Sequence, residues 1–497
     1  MTKFLRTVLV YVLTLVAVSS CVKPEDTYEE QQRRQASIKA LTYLRDNIMS
    51  ENYYWSESLV KKPFTYDTGI EDYFYSLLYE KDRWSWMTDG KSYIDDESGV
   101  QYGTYGVMVG QMIDYYADYG VYAGLVYPDG PFGKAGVKRG WKITGIDGKT
   151  TEDWIKTDRE AFQDIFNAPS TTRPHLFTFQ DTRGQTHQAS ITAAESLLVR
   201  PGLSTRVFTA KDYPGLTAPV GYFNYLSFKA DNDITGKSMM DDITEAMDYF
   251  KKQGVKTLIL DLRYNGGGDS RASNLLVSYL APSRARGQVY VKRTHNRKQR
   301  SYDIEGKVVS PEKAILDIES AKNSGTHFSC KPSSPEFEHL YFITGKGSAS
   351  ASEMVLNGLK PLADVHHVGN ITYGKPNGMY VFLYPSHLAA YDRGDYSGLK
   401  YVFLPICFYN ANGLGENIPD TGIIPDNQRP DDLYHDFDAT EDNIAACLHH
   451  IVHGSYPALP EVTEPAADTK AAFRTDAHLY LWENDRNYGR YTIKCDF

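Results

Sequence analysis

Twice in this chain an apolar run long enough for one buried strand gives way to a corner almost bare of side chains, and the corner opens into a helical pattern. The first is "VKTLILDLRYNGGGDSRASNLLVSYL", residues 255–280, and the second is "HLYFITGKGSASASEMVLNGLKPL", residues 339–362. A continuous apolar run bounded by glycine reads as a strand covered on both faces, as in parallel sheets flanked by helices. Two strand–turn–helix units of one design predict a single α/β sheet with its chemistry beyond the C-terminal ends of the strands.

The neighbouring segments extend this pattern. "VGYFNYLSFK" (220–229) alternates like a strand, and Asp241–Lys252 has helical apolar spacing. Residues 281–338 are polar and irregular, with "THNRKQRSYDIEG" expected as an inserted hairpin or loop. "DATEDNIAACLHHIVHG" reads as a helix ended by Gly454, followed by an appended tail. Upstream, Ile38, Leu41, Leu44 and Ile48 recur at helical spacing between about Arg34 and Met87, a small helical subdomain. Then "YGVMVGQMI" and "YGVYAGLVYPDG" alternate apolar residues around glycines. "GPFGKAGVKRGWKITGIDGKT" reads as a short helix, a turn and a strand ending at a favoured hairpin turn, Asp147-Gly148.

Composition narrows the class. The 497 residues are 41% hydrophobic and 23% charged, which excludes a disordered or collagenous chain. A net charge of −10 argues against a nucleic-acid partner. Lys3 and Arg6 precede an apolar run of about a dozen residues, shorter than the ~20 a mature transmembrane helix needs. The run reads as a secretory signal, residues 1–20. Cys330, Cys407, Cys447 and Cys495 are scattered with no C-x-x-C spacing and give no zinc signature.

Two stretches invite a nucleotide reading. "GNITYGKP" (369–376) follows a phosphate-loop pattern until Pro376 stands where the magnesium-binding hydroxyl belongs, and no helix pattern begins there. "NGGGD" lacks the G-x-G-x-x-G spacing. Neither binds phosphate.

In "GSASASE" the pair Ser350 and Glu353 has capping-box spacing, the serine capping a helix and the glutamate reaching back to the cap N–H. That leaves the small residues on either side unexplained, and the equally bare "NGGG" as well. Two such corners at adjacent strand ends offer backbone N–H groups to an oxyanion, and a nucleophile at a helix start gains from the dipole. A serine nucleophile needs a base. None of the thirteen histidines forms a recognisable partner motif, and His366-His367 simply follows a helix. The other option is a lysine whose pKa burial lowers from ~10.4 towards neutrality. Lys375, in "TYGKPNG", sits between apolar and glycine-rich segments, although a loop lysine is ordinarily solvated.

"LILDLRYNGGG", "GSASASE" and "TYGKPNG", in that order, resemble the motifs of the C-terminal processing, or tail-specific, serine peptidases over roughly residues 35–450. That family's lysine base lies twenty-five residues after the middle serine, and Lys375 lies twenty-five after Ser350. "KAGVKRGWKITGIDGK" (134–149) similarly resembles a PDZ signature, with Trp141 where aspartate is common. Val18-Ser19-Ser20-Cys21 resembles the bacterial lipobox, whose cysteine is acylated.

Together the resemblances imply a crotonase-like α/β core and a Ser–Lys dyad of Ser350 and Lys375. They imply an oxyanion site from the N–H groups of Ala351 and of Gly267 or Gly268, with Glu353 and Thr372 in support. They imply polypeptide substrates, a lipid anchor at Cys21 holding the protein to a bacterial membrane in the cell envelope, and no metal or organic cofactor. The expected layout is a signal (1–20), a tether (21–34), a helical subdomain (35–100), a PDZ-like domain (101–198), the peptidase core (199–435) and a helix with tail (436–497). Peptide capture by the PDZ-like domain would fall near Tyr105–Val109. One departure stands out: where many members place a glutamine to hold the lysine, this chain has Met379. That leaves the amine to Thr372 or to Asn377, or leaves activity reduced. The alternative is a peptidase-like lipoprotein that binds peptides or other envelope ligands without cutting them.

Overall fold

The strongest local signals form the elements expected of them. The computed structural model describes residues 27–112, 118–230, 238–310, 336–386, 389–391 and 394–459. The signal, Cys21, Cys330, Cys495 and the tail beyond residue 459 lie outside them. Helix α1 (Tyr28–Thr42) carries a reciprocal cap between Thr27 and Glu30, and the helical path continues to Asn52. Leu41, Leu44 and Ile48 are buried against Tyr73 and Phe74 of α2 (Ile70–Ser76), whereas Ile38 stays exposed. β1 (Trp86–Asp89) and α3 (Gly90–Glu97) complete this part.

Next, β2 (Val100–Thr104) pairs with β9 (Ala194–Leu198), and together they frame a separate antiparallel sheet. That sheet holds β3 (Val107–Met112), β4 (Asp118–Val126), β5 (Lys142–Ile146), β6 (Lys149–Thr150), β7 (His175–Gln180) and β8 (Thr186–Ile191). Helices α4 (Thr151–Thr157) and α5 (Arg159–Asn167) cover one face over a core of Phe132, Phe162, Phe177 and Phe179. Asp147 and Gly148 both have positive φ, 53° and 79°, the primed turn that matches the twist of the β5–β6 hairpin. β3 is an edge strand of this sheet.

The central sheet runs β10 (Gly202–Phe208), β11 (Val220–Tyr225), β12 (Thr257–Asp261), β15 (His339–Thr344), β16 (Val365–Gly369) and β21 (Asn427–Gln428). Only the β10–β11 pair is antiparallel. Along β12, Leu258 and Leu260 face a core with α6 (Asp241–Lys252), α7 (Ser270–Leu280) and α8 (Ala351–Leu359), while Ile259 faces α9 (Asp442–His453). Burying each such side chain is worth ~1.5–3 kcal/mol. β11 reads as alternating in sequence but is buried at every position, because it too is covered on both faces. Gly454 ends α9 in the left-handed conformation.

A third sheet sets the hairpin of β13 (Val289–His295) and β14 (Ile304–Lys307) beside β20 (Ile406–Ala411) and β17 (Asn377–Met379). β18 (Phe382–Tyr384) and β19 (Tyr401–Leu404) pair with each other, and β19 also takes β1. The N-terminal part is thereby knitted to the loops around Lys375. Among the described residues no helix is long and apolar enough to cross a membrane.

Candidate active site

At the C-terminal end of β12 the chain turns through Asn265–Gly268. Asn265 is fully buried, and its amide donates to the Tyr225 carbonyl (2.8 Å) and accepts from the Gly267 N–H (2.9 Å). Its own carbonyl accepts from the Ala349 N–H (3.2 Å) and from the Ser352 hydroxyl (2.8 Å), tying this corner to the next. Gly267 has φ 106° and Gly268 φ 133°, which favours glycine at both positions. A Cβ on Gly267 would stand 2.8 Å from the Ser350 Cβ, and one on Gly268 would stand 2.2 Å from the Phe228 carbonyl oxygen.

The second corner separates its three serines by environment. Ser348 and Ser352 are buried, and each hydroxyl donates to a carbonyl of the first corner, Leu262 (2.7 Å) and Asn265 respectively. Ser350 between them is half-exposed and starts α8 with φ 54° and ψ −111°, a conformation that costs a non-glycine residue ~1–3 kcal/mol. The strain presents its side chain at the mouth of the corner. Two of the serines serve as fasteners; the third is held out.

Glu353 organises the rest. Fully buried, it accepts through one oxygen from the N–H groups of Ser350 (3.0 Å) and Lys375 (2.8 Å). Its other oxygen accepts from the Thr372 hydroxyl (2.5 Å) and the Gly374 N–H (2.8 Å). Burial pushes its pKa up, and these donors pull it back. Thr372 therefore spends its proton on Glu353, while its oxygen accepts from the Ile423 N–H (2.6 Å). Lys375 is buried, and desolvation lowers its amine to about 8 against the pull of the Glu353 and Asp82 carboxylates. His367, by contrast, is bonded to Thr344 and pushed by burial to about 3, too weak a base for the task.

All seven interior residues expected from the sequence, Ser350, Lys375, Ala351, Gly267, Gly268, Thr372 and Glu353, meet at this junction. The Gly267 N–H is occupied by Asn265, whereas the Gly268 and Ala351 N–H groups have no acceptor among the described residues. Met379 packs against the apolar cluster of Trp86, Val402 and Leu404, and Asn377 lies fully buried opposite Tyr409. Sequence reasoning missed the N-terminal part's share. Asp82 accepts from Tyr53, Trp84 and Ser85, and Arg83 donates to the carbonyls of Gly374 (3.2 Å) and Asp420 (2.8 Å), bracing the Lys375 loop. Beside the first corner, a cavity of about 310 Å³ is lined by Met108, Tyr127, Leu226, Lys229 and Tyr264.

A strained serine at a helix start, a buried amine of lowered pKa and two bare corners are the parts that serine-class hydrolysis requires, here on an α/β core. The model of peptidase family S41 matches residues 219–427, and that of the S41 N-terminal domain matches residues 46–86. The chain belongs to peptidase family S41, the C-terminal processing peptidases, and is a serine peptidase acting on polypeptides. A crystal structure of a Bacteroides fragilis protein assigned to the S41 proteases superposes with a TM-score of 0.62 at 21% identity, over 82% of this chain and 96% of that one. A photosystem II D1 C-terminal processing protease matches more loosely, with a TM-score of 0.41 at 18% identity over 80% of this chain and 93% of its own. No curated protein matches the chain in sequence.

Proposed function

We propose that the chain is a Ser–Lys endopeptidase of the cell envelope, with Ser350 as nucleophile and Lys375 as general base. The observation that carries this is the single Glu353 oxygen shared by the Ser350 and Lys375 N–H groups, which fixes the two residues side by side. The neutral Lys375 amine takes the Ser350 hydroxyl proton as the oxygen attacks the scissile carbonyl carbon. The carbonyl oxygen becomes an oxyanion held by the N–H groups of Ala351 and Gly268, the two left without acceptors. Collapse breaks the C–N bond, and Lys375 returns its proton to the leaving amine. Water, deprotonated by the same amine, then attacks the acyl carbon; the C–Oγ bond breaks and the amine returns that proton to Ser350 Oγ. Burial supports this role: with a pKa of about 8, about a tenth of the amine is neutral at pH 7, against under a thousandth for a solvated lysine.

The sheet of residues 107–191 is the PDZ-like module in this reading. Its edge strand β3 takes the C-terminal stretch of a substrate as an added strand. The leader and Cys21 tether the enzyme to a bacterial membrane by a lipid. In the purified protein, Ser350→Ala should abolish cleavage of an unfolded polypeptide while leaving the melting curve in place. Undiminished cleavage would reject the dyad. Palmitate labelling that survives Cys21→Ser would reject the anchor.

A further inference from the structure

At the opposite end of β15 from Ser350, two imidazoles converge on one carboxylate. His339 opens β15, Asp364 directly precedes β16, and His366 is its second residue. His339 Nδ1 lies 2.6 Å from Asp364 Oδ2, and His366 Nε2 lies 3.6 Å from the same oxygen. One donor atom from each of the three side chains lies within 4.8 Å of both others. We infer that His339, Asp364 and His366 bind a divalent transition-metal ion of the zinc class.

The register makes the convergence a property of the sheet rather than of loose surface chains. Tyr341 pairs with His366 across the β15–β16 ladder, and His339, two residues before Tyr341, shares its face. The His366 ring stacks on Tyr341 at 4.5 Å and 19°, with the His450 ring of α9 at 4.8 Å. Tyr341 is itself bonded to His450 Nδ1 at 2.8 Å. This backing fixes the plane of His366, as outer partners do for metal-binding histidines.

The donor set selects the ion. Two imidazoles and one carboxylate suit zinc and its neighbours, offer too few oxygens for calcium or magnesium, and hold no thiolate for copper(I). Donors ~2.0–2.2 Å from such an ion stand ~3.4 Å apart in tetrahedral geometry. His339 and Asp364 must therefore open slightly as the ion replaces the proton between them, and both side chains are half-exposed and able to do so. His339 then carries its proton on Nε2. Three protein donors leave the remaining positions to water. The ion would clamp the start of β15 to the start of β16, far from the peptidase corner.

The test is zinc titration of chelator-stripped protein by calorimetry at pH 7.5, with melting curves alongside. One ion per chain is expected, with a rise in Tm of about 2 °C or more at saturation. His339→Ala and His366→Ala should each weaken binding by at least ~10-fold. The His339 side chain is half-exposed and that of His366 is 26% exposed, and zinc-free melting curves of both variants check that the fold tolerates them. His449→Ala/His453→Ala should bind as the wild type does, although those two rings lie 4.3 Å apart on α9. No binding, binding untouched by His339→Ala and His366→Ala, or binding lost only with His449 and His453 would overturn the assignment. None of these readouts depends on peptidase activity.

Discussion

In the proposed dyad, a Lys375 amine held at about 8 ties activity and stability to pH in the same direction. As the proposed base it must be neutral, so kcat/KM should rise with pH and level off above about 8, measured on an uncharged peptide substrate. For stability the sign follows from proton uptake. Between about 8 and 10.5 the unfolded chain keeps its lysine proton while the native site has released it, so the Lys375 contribution to stability improves as pH rises through that window. Below about 8 both states are protonated and the burial cost is fully present. Lys375→Met should therefore abolish cleavage and yet raise the unfolding free energy at pH 7 by about 1–3 kcal/mol in urea titrations. Glu353→Gln should also lose activity but shift stability the other way, by a loss of about 3 kcal/mol. A glutamine turns an NH2 towards N–H groups that a carboxylate accepts, and the Ser350 and Lys375 backbones lose their common acceptor.

At the scale of elements, the two bare corners were legible in sequence because glycine and serine there answer local demands. Gly267 and Gly268 are needed for positive φ and for close approach to Ser350 and Phe228, and buried strands on either side leave no other place for a turn. What a local pattern does not carry is the division of labour among the three serines, which depends on carbonyls of the other corner across the sheet. Nor does it show Asp82 and Arg83, whose work is done on a loop nearly three hundred residues away. The helical spacing of the N-terminal part was readable; the β1–β19 pairing that fastens it was not, since a four-residue strand gains its stability only from a distant partner. Gly267→Ala tests the corner. Its Cβ would push on Ser350 and Ala349, and displacing a donor of the proposed oxyanion site costs ~10²-fold or more in kcat. KM for the same peptide should change far less.

Across the whole molecule, the "DLR" of the first motif proves to be structural. Arg263 bonds Asp261 (2.9 Å), Asp431 (2.9 Å) and Glu441 (2.5 Å), joining the central sheet to the segment that leads into α9. Arg139, carried by the sheet of residues 107–191, reaches the same Asp431 (2.9 Å), the Tyr264 hydroxyl (2.7 Å) and the Asp432 carbonyl (2.8 Å). Both guanidiniums are buried, and their charge draws Asp431 below the ordinary carboxylate range although burial alone would raise it. Two cations thus answer three carboxylates at the point where the parts of the chain meet, with Arg263 two residues before the Asn265 that ties the corners. Arg139→Ala leaves Arg263 alone among them, and breaking such a buried pair costs ~3–5 kcal/mol. Limited proteolysis should then cut between residues 107 and 191 first, with the urea midpoint lowered. Adding Asp431→Asn should return part of the loss, a coupling of ~0.5–3 kcal/mol, because Arg263 keeps Asp261 and Glu441. Strictly additive losses in the double variant would show that Arg139 contributes packing on Phe437, which its guanidinium covers at 4.4 Å, rather than charge.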